Sequence, residues 1–290
     1  MQISEATKNQ FLVFQRNEIT ENRIYRELAK VTKNEANRDV LNRIASDELH
    51  HYEQLKKSTG TDVAPDRFKI WKYVWISRLF GLTFGIKLME AGEADAQESY
   101  GGFTDEFEPA GLMAKDENEH EQELIGLIDE ERLQYTGSVV LGLNDALVEL
   151  TGALAGFTLA LQNTKLIAMT GAITGIAAAL SMATSEYLST KAEETEKHPV
   201  KASVYTGIAY IFTVLVLIAP YLIFQNYFVC LAITLMLGIA IIASFNYYIA
   251  VAKDLDFRKR FLEMTGLSLG VAAVSFLVGF LLRKFTGIEI

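Results

Sequence analysis

Two stretches of the 290-residue chain place a glutamate three residues before a histidine: Glu48-x-x-His51 and Glu117-x-x-His120. Two others pair acids at the same spacing, Glu18 with Glu21 and Glu90 with Glu93. On a helix, a spacing of three sets both side chains on one face. Carboxylate oxygens and a neutral imidazole nitrogen are ligands for first-row transition metals. Each pair interrupts a run of apolar residues that recur three and four apart. Phe11, Phe14, Tyr25 and Leu28 flank the first pair, and Leu41, Ile44 and Leu55 the second. Ile76, Leu79, Ile86 and Tyr100 flank the third, and Met113, Leu124 and Leu127 the fourth. Such seams face the interior of a helical bundle. Burying these groups without partners would cost heavily, so four interruptions cancel only if they meet at one level and share cations. Two Glu-x-x-His pairs with glutamates from two further helices form the dinuclear iron or manganese constellation of helical bundles.

Other readings of nearby residues stand beside this one. Asp47-x-x-His50 is a rival pair one position round the helix, off the seam, and reads as surface. Glu21 is a further ligand, a mobile partner or a polar end to the site. Glu53, Glu119, Glu121 and Glu123 read as solvated faces.

The elements that must position these groups are four helices, expected over about Glu5–Lys33, Glu35–Ser58, Arg67–Tyr100 and Ala110–Leu133. Pro65 suits a helix start, and Gly101, Gly102 and Pro109 mark a longer loop. Residues 1–135 form one expected domain and residues 136–290 a second. The first holds 26 Asp and Glu against 17 Lys and Arg, a net charge of −9. The second holds 10 of each and includes a run from Ala202 to Ala252 without a charged residue or histidine. An acidic front half argues against nucleic acid as a partner, because a basic patch supplies most of that binding. The one cysteine, Cys230, allows neither a disulfide nor a thiolate metal site. The polar start, MQISEATKNQ, lacks a signal-peptide pattern, so the front half is expected in the cytoplasm.

The second half offers five apolar segments, about Val139–Leu161, Leu166–Leu188, Val204–Phe224, Tyr227–Ala252 and Met264–Leu282. Each is near the ~20 residues that cross a bilayer as a helix. The fold class expected is therefore all-α, a four-helix bundle followed by a five-span transmembrane domain. With the front domain cytoplasmic, the loops on that side carry Lys191, Lys197, Lys201, Lys253, Arg258, Lys259 and Arg260. The far side carries Lys165, Arg283 and Lys284, so the positive-inside rule places the C-terminus outside. The junction around Gln134–Ser138 is short, and the fourth helix is expected to feed almost directly into the first span. An acid inside a span marks a functional site by default. Asp145 and Glu149 share one face of the first span, and Met182 and Glu186 one face of the second, while Asp145 and Glu186 lie towards the cytoplasmic ends, where snorkelling to the interface is the alternative reading. A thioether beside carboxylates suits a transition metal better than magnesium or calcium. Gly152-x-x-x-Gly156 and Gly171-x-x-x-Gly175 would let helices approach closely.

The front half resembles the rubrerythrin and ferritin-like superfamily, through Glu18 seven before Tyr25, Glu48-x-x-His51, Glu90-x-x-Glu93 and Glu117-x-x-His120. That resemblance implies a ferritin-like bundle holding two iron ions on Glu18, Glu48, His51, Glu90, Glu93, Glu117 and His120. Manganese fits the same ligands, and the resemblance favours iron. Rubrerythrins usually carry a rubredoxin-like cysteine module, which this chain lacks. The second half resembles the vacuolar iron transporter family, through Gly142-Leu-Asn-Asp145 and Ser181-Met-Ala-Thr-Ser-Glu-Tyr-Leu-Ser189. That resemblance implies five spans, a homodimer and exchange of divalent iron for protons, with Asp145, Met182 and Glu186 on the path. Glu149 joins them by periodicity alone. The family's acidic cytoplasmic insert after the second span is here only about Thr190–Ala202. Together the halves resemble the membrane-bound ferritins, an arrangement of bacterial and archaeal cell membranes.

The expected function is export of Fe(II) from the cytoplasm by proton antiport, as part of iron homeostasis. The front domain would capture iron, with or without oxidising it. The rival expectation is a membrane-anchored ferroxidase or peroxide scavenger, and a third is an iron sensor that gates transport.

Overall fold

The computed structural model describes residues 5–91, 113, 115, 116, 119, 120, 124, 135–193, 197–253 and 255–286. Of Ala6, Glu90, Ala91 and Thr286 it describes the backbone alone. The described residues are predominantly helical, with no strand among them, and the chain divides into two compact units, Met1–Glu130 and Glu131–Ile290.

In the first unit, α1 spans Glu5–Val31 and α2 spans Glu35–Thr59. Asn34 caps α2, its side chain accepting from the Asn37 amide at 3.2 Å. Gly60 ends α2 at φ 66, a left-handed position that glycine adopts without strain. The two helices pack through Ile24, Tyr25, Leu28, Leu41, Ile44 and Ala45, all buried. Inside that contact the Asn22 side-chain amide donates to the Ala45 carbonyl oxygen.

The third helix expected over 67–100 is broken. It forms α3, Arg67–Phe80, and α4, Leu82–Ala91, while residues 92–112 lie outside the described residues. Gly81 sits between them at φ 107 and ψ 153, which a residue with a Cβ rarely adopts. The break resets the helical register. Tyr73 and Ser77 face inward on α3, while Leu79, expected in the seam, is exposed; Ile86 and Met89 continue the core on α4. Gly85 lies so close to Ser77 that a Cβ there would overlap the serine side chain. Asp66 caps α3 by accepting from the Phe68 and Lys69 amides at 2.9 and 3.0 Å, and its own amide donates to Thr20 of α1 at 2.9 Å. Of the expected fourth helix, Met113, Lys115, Asp116, Glu119, His120 and Leu124 are described, all helical.

The second unit consists of α5 (Thr136–Leu161), α6 (Thr164–Ala192), α7 (Pro199–Ile223), α8 (Tyr227–Lys253) and α9 (Phe257–Thr286). All five are long and apolar enough to cross a membrane. With lipid outside, burial of apolar surface supplies little force between such helices, so close packing and hydrogen bonds must hold them. Small residues let α5 approach its neighbours. A Cβ on Gly142 would overlap the Thr206 carbonyl of α7, and one on Gly279 of α9 would overlap the Gly156 carbonyl of α5. Gly152 also faces α9, at Val271, while Gly171 and Gly175 of α6 meet Leu154 and Val214. Hydroxyls bridge the helices: Thr206 donates to the Ser138 carbonyl at 2.9 Å, and Ser268 to the Leu147 carbonyl at 3.1 Å. Gly279→Val therefore forces α5 and α9 apart and costs about 1–3 kcal/mol. A lower thermal unfolding midpoint in detergent registers this. Gly266→Ala, with open space around its Cβ, leaves the midpoint unchanged or slightly raised.

Candidate metal centre

The α1–α2 pair brings three ligand-type side chains to one point. Glu18 comes from α1, and Glu48 and His51 lie one turn apart on α2. One ligand atom from each lies within 4.8 Å of the others, and each residue is 1–2% exposed. Among the described residues they are the group of three acids, histidines or cysteines that converges in this way. His51 Nδ1 stands 3.4 Å from Glu48 Oε2 and 3.6 Å from Glu18 Oε2. His120 joins from the other side, its Nδ1 3.1 Å from Glu48 Oε1. The Glu48 carboxylate thus lies between two imidazoles, one oxygen towards each, with the ring centroids 6.3 Å apart.

The outer nitrogens of the rings show a second pattern. His51 Nε2 lies 3.3 Å from Asp116 Oδ2, and His120 Nε2 lies 3.1 Å from Asp47 Oδ2. The contacts cross: the aspartate preceding each Glu-x-x-His glutamate holds the histidine of the other pair. A carboxylate on Nε2 keeps the proton there and turns the Nδ1 lone pair inward. Glu48 and the two Nδ1 atoms then present lone pairs to one another, an arrangement that only cations can hold together. The nitrogen and oxygen donors are of the kind that would hold a divalent transition metal such as iron or manganese.

The placement of the expected ligands is uneven. Glu18, Glu48, His51 and His120 converge. Glu21 is buried one turn after Glu18, and Tyr25 a further turn on. Glu93 and Glu117 lie outside the described residues, as does the side chain of Glu90. Asp47 and Asp116 are residues of the site that seam periodicity does not single out, Asp47 reading by that criterion as surface. A signal does exist for them in the repeated pattern Asp-Glu-x-x-His, at 47–51 and 116–120. His50 does face outward and contacts Gln54 at 2.7 Å.

Protons do the cancelling in the metal-free protein. Burial, reinforced by the Glu48 charge and opposed by His51, pushes Glu18 up to about 8. Burial would also raise Glu48, but contacts with His120 and His51 outweigh it and hold that carboxyl down at about 2. Burial would lower His51, yet Glu18 and Glu48 outweigh it and push the imidazole up to about 11. His120 is raised in the same way by Glu48 and Asp47.

The spans position the other candidates. Glu186 of α6 accepts a hydrogen bond from the Ser138 hydroxyl of α5, and Glu149 of α5 accepts one from the Tyr210 hydroxyl of α7 at 2.9 Å. Asp145, Met182 and Glu186 are half-buried and Glu149 is exposed. Among the described residues these acids do not close into a second ligand cluster.

Two outcomes are expected for the buried cluster. Asp47→Asn and Asp116→Asn leave the inner ligands in place but lose the carboxylate on each Nε2, so each weakens metal binding by about 10–100-fold in a metal titration. Protons and metal compete for the same atoms. The contribution of Glu18 is full below its ordinary 4.5 and is lost as pH rises through 8. That of His51 is full below its ordinary 6.5 and is lost through 11, while that of Glu48 is full above 4.5 and is lost as pH falls through 2. As far as these groups decide, the metal-free protein is therefore most stable near pH 4.5, where the Glu48 contribution is full and those of Glu18 and His51 are not yet lost. Its unfolding midpoint falls as pH rises from there, first through Glu18 and then through His51, and added divalent iron or manganese restores it.

Comparison with known proteins reaches the second unit alone. No curated protein and no solved structure matches the chain. Residues 136–198 match the VIT family. That stretch holds Asp145, Glu149, Met182 and Glu186 and covers α5 and α6. With five membrane-competent helices, the match fits a VIT-type domain of an integral membrane protein and suggests transport of a metal ion.

Proposed function

We propose that this chain exports Fe(II) from the cytoplasm through α5–α9 in exchange for protons, and that its first unit captures the iron. The observation that carries this reading is the VIT-family match over residues 136–198, which contains every acid found within α5 and α6. A helix that serves as an anchor has no use for acids at that depth, where charge is costly. By the rise of a helix, Asp145 lies about 13 Å from the start of α5 and Glu186 about 9 Å from the end of α6. Both therefore sit towards the membrane face shared by those two ends. A carboxylate there binds either a divalent metal or a proton, and that alternation is the physical basis for counter-movement. The hydroxyls of Ser138 and Tyr210 hold Glu186 and Glu149 in place when neither cation is bound.

The direction rests on the basic loops, which favour a cytoplasmic first unit and an outside C-terminus. Half-burial and exposure of the path residues favour a homodimer in which a second copy covers them. In the first unit Glu18, Glu48, His51 and His120 would hold two iron ions, or manganese, with Glu90, Glu93 and Glu117 as further ligands. Such a pair would supply redox chemistry. The residues of the chain exclude water, orient the rings through Asp47 and Asp116, and keep Glu48 ionised.

A second reading is supported by that buried cluster: a membrane-anchored ferroxidase or peroxide scavenger, in which Fe(II) gives electrons to oxygen or peroxide. Uptake of Fe(II) into inside-out vesicles separates the two. Transport predicts pH-dependent uptake that Glu186→Ala and Asp145→Ala reduce at least about tenfold, a loss of about 1.4 kcal/mol or more in the path. Glu48→Ala slows capture at low iron and leaves uptake at high iron intact. Uptake unaffected by Glu186→Ala, with Fe(II)-dependent oxygen consumption abolished by Glu48→Ala, selects the oxidoreductase.

A further inference from the structure

The outer face of α3 has no use in the metal centre or in the core of its unit. Phe68, Trp71, Trp75 and Leu79 recur at spacings of three and four and so share one face of the helix. They are 68%, 60%, 54% and 52% exposed. Their rings form a ladder along the helix, Phe68 to Trp71 at 6.0 Å and Trp71 to Trp75 at 6.4 Å between centroids. The opposite face, Tyr73 and Ser77, is buried. Exposed aromatic stripes of this extent mark a contact surface.

The charge around the stripe identifies the partner. Helix α3 carries Arg67, Lys69, Lys72 and Arg78 and no acid, within a half-chain whose net charge is −9. Arg67, Lys72 and Arg78 are exposed beside the aromatic face. Asp66, the acid next to the helix, is occupied by its capping bonds to the Phe68 and Lys69 amides. A two-fold contact between copies through this face would set base against base. An anionic bilayer surface meets both features at once, because indole rings favour the headgroup layer and each base near such a surface contributes about 1 kcal/mol.

We propose that α3 is an interfacial helix: Phe68, Trp71, Trp75 and Leu79 enter the headgroup layer of an anionic membrane, and Arg67, Lys72 and Arg78 meet its phosphates. A basic helix with tryptophan on its apolar face binds a bilayer in this way. The five membrane-competent helices of the same chain keep that surface within reach, so a weak contact is populated through high effective concentration.

The chain has two tryptophans, both in this stripe, so its indole emission reports on α3 alone. The test uses the full chain in vesicles of phosphatidylcholine and phosphatidylglycerol, with lipids brominated near the headgroup as quenchers. The proposal expects strong quenching by the brominated lipid and weak quenching by aqueous acrylamide. The triple variant Arg67→Gln/Lys72→Gln/Arg78→Gln loses the lipid quenching, at about fivefold weaker contact per base removed. Metal binding at the Glu48 cluster, unchanged in that variant, shows that the unit has folded. Emission that acrylamide quenches and brominated lipid does not would place the stripe in water and overturn the proposal. Protection from both quenchers, with Trp75→Cys copies cross-linking to each other, assigns the face to a second copy and overturns it too. Equal lipid quenching in vesicles of phosphatidylcholine alone overturns the anionic headgroup assignment.

Discussion

A carboxylate buried between two imidazoles cannot exist without cations, and the organisation of the first unit follows from that. Glu48 is ionised in an interior where charge is costly, so each element that touches it must bring compensation. The α1–α2 packing delivers Glu18 and His51, and the helical segment around residue 120 delivers a second ring. Each ring is itself held from outside by an aspartate. Remove the crossed aspartates and the rings are free to turn; remove Glu48 and two imidazoles lose the charge they share. Protons satisfy the arrangement at the expense of holding Glu18 and His51 far from their ordinary titration.

The second unit meets the opposite constraint. Its helices are surrounded by apolar groups, so cohesion comes from close backbone approach and from hydroxyl bonds between helices. Gly142, Gly156 and Gly279 bring α5 against α7 and α9, and Ser268 and Thr206 tie them. The acids of α5 and α6 are the departure from that economy. Two of them are tethered by hydroxyls of neighbouring helices, Glu186 by Ser138 and Glu149 by Tyr210.

One glycine links fold to surface in the first unit. Gly81 interrupts the helix at 67–91 and resets its register, so α3 and α4 bury different faces. Uninterrupted, the seam would run through Leu79 to Ile86 and Glu90. With the break, Leu79 joins Phe68, Trp71 and Trp75 on the outside, while Ile86 stays in the core.

Much of this protein is legible in the order of its residues. Helix periodicity is local, so the Glu-x-x-His spacings, the seams and the five spans can be read without coordinates, and α5 to α9 lie where apolar length places them. The positions of Glu48, His51 and His120 on inward faces come from the same period. The convergence of Glu18, Glu48, His51 and His120 is a through-space fact, as is the crossing of Asp47 to His120 and of Asp116 to His51. Asp47 resembles surface because it lies off the seam; the partner that gives it work is 73 residues away. The turn at Gly81 escapes periodicity because the apolar pattern continues across it, and the φ of one glycine decides which side faces out. Spacing along a helix fixes which side chains share a face, whereas the partner that meets that face is chosen by packing between segments distant in the chain.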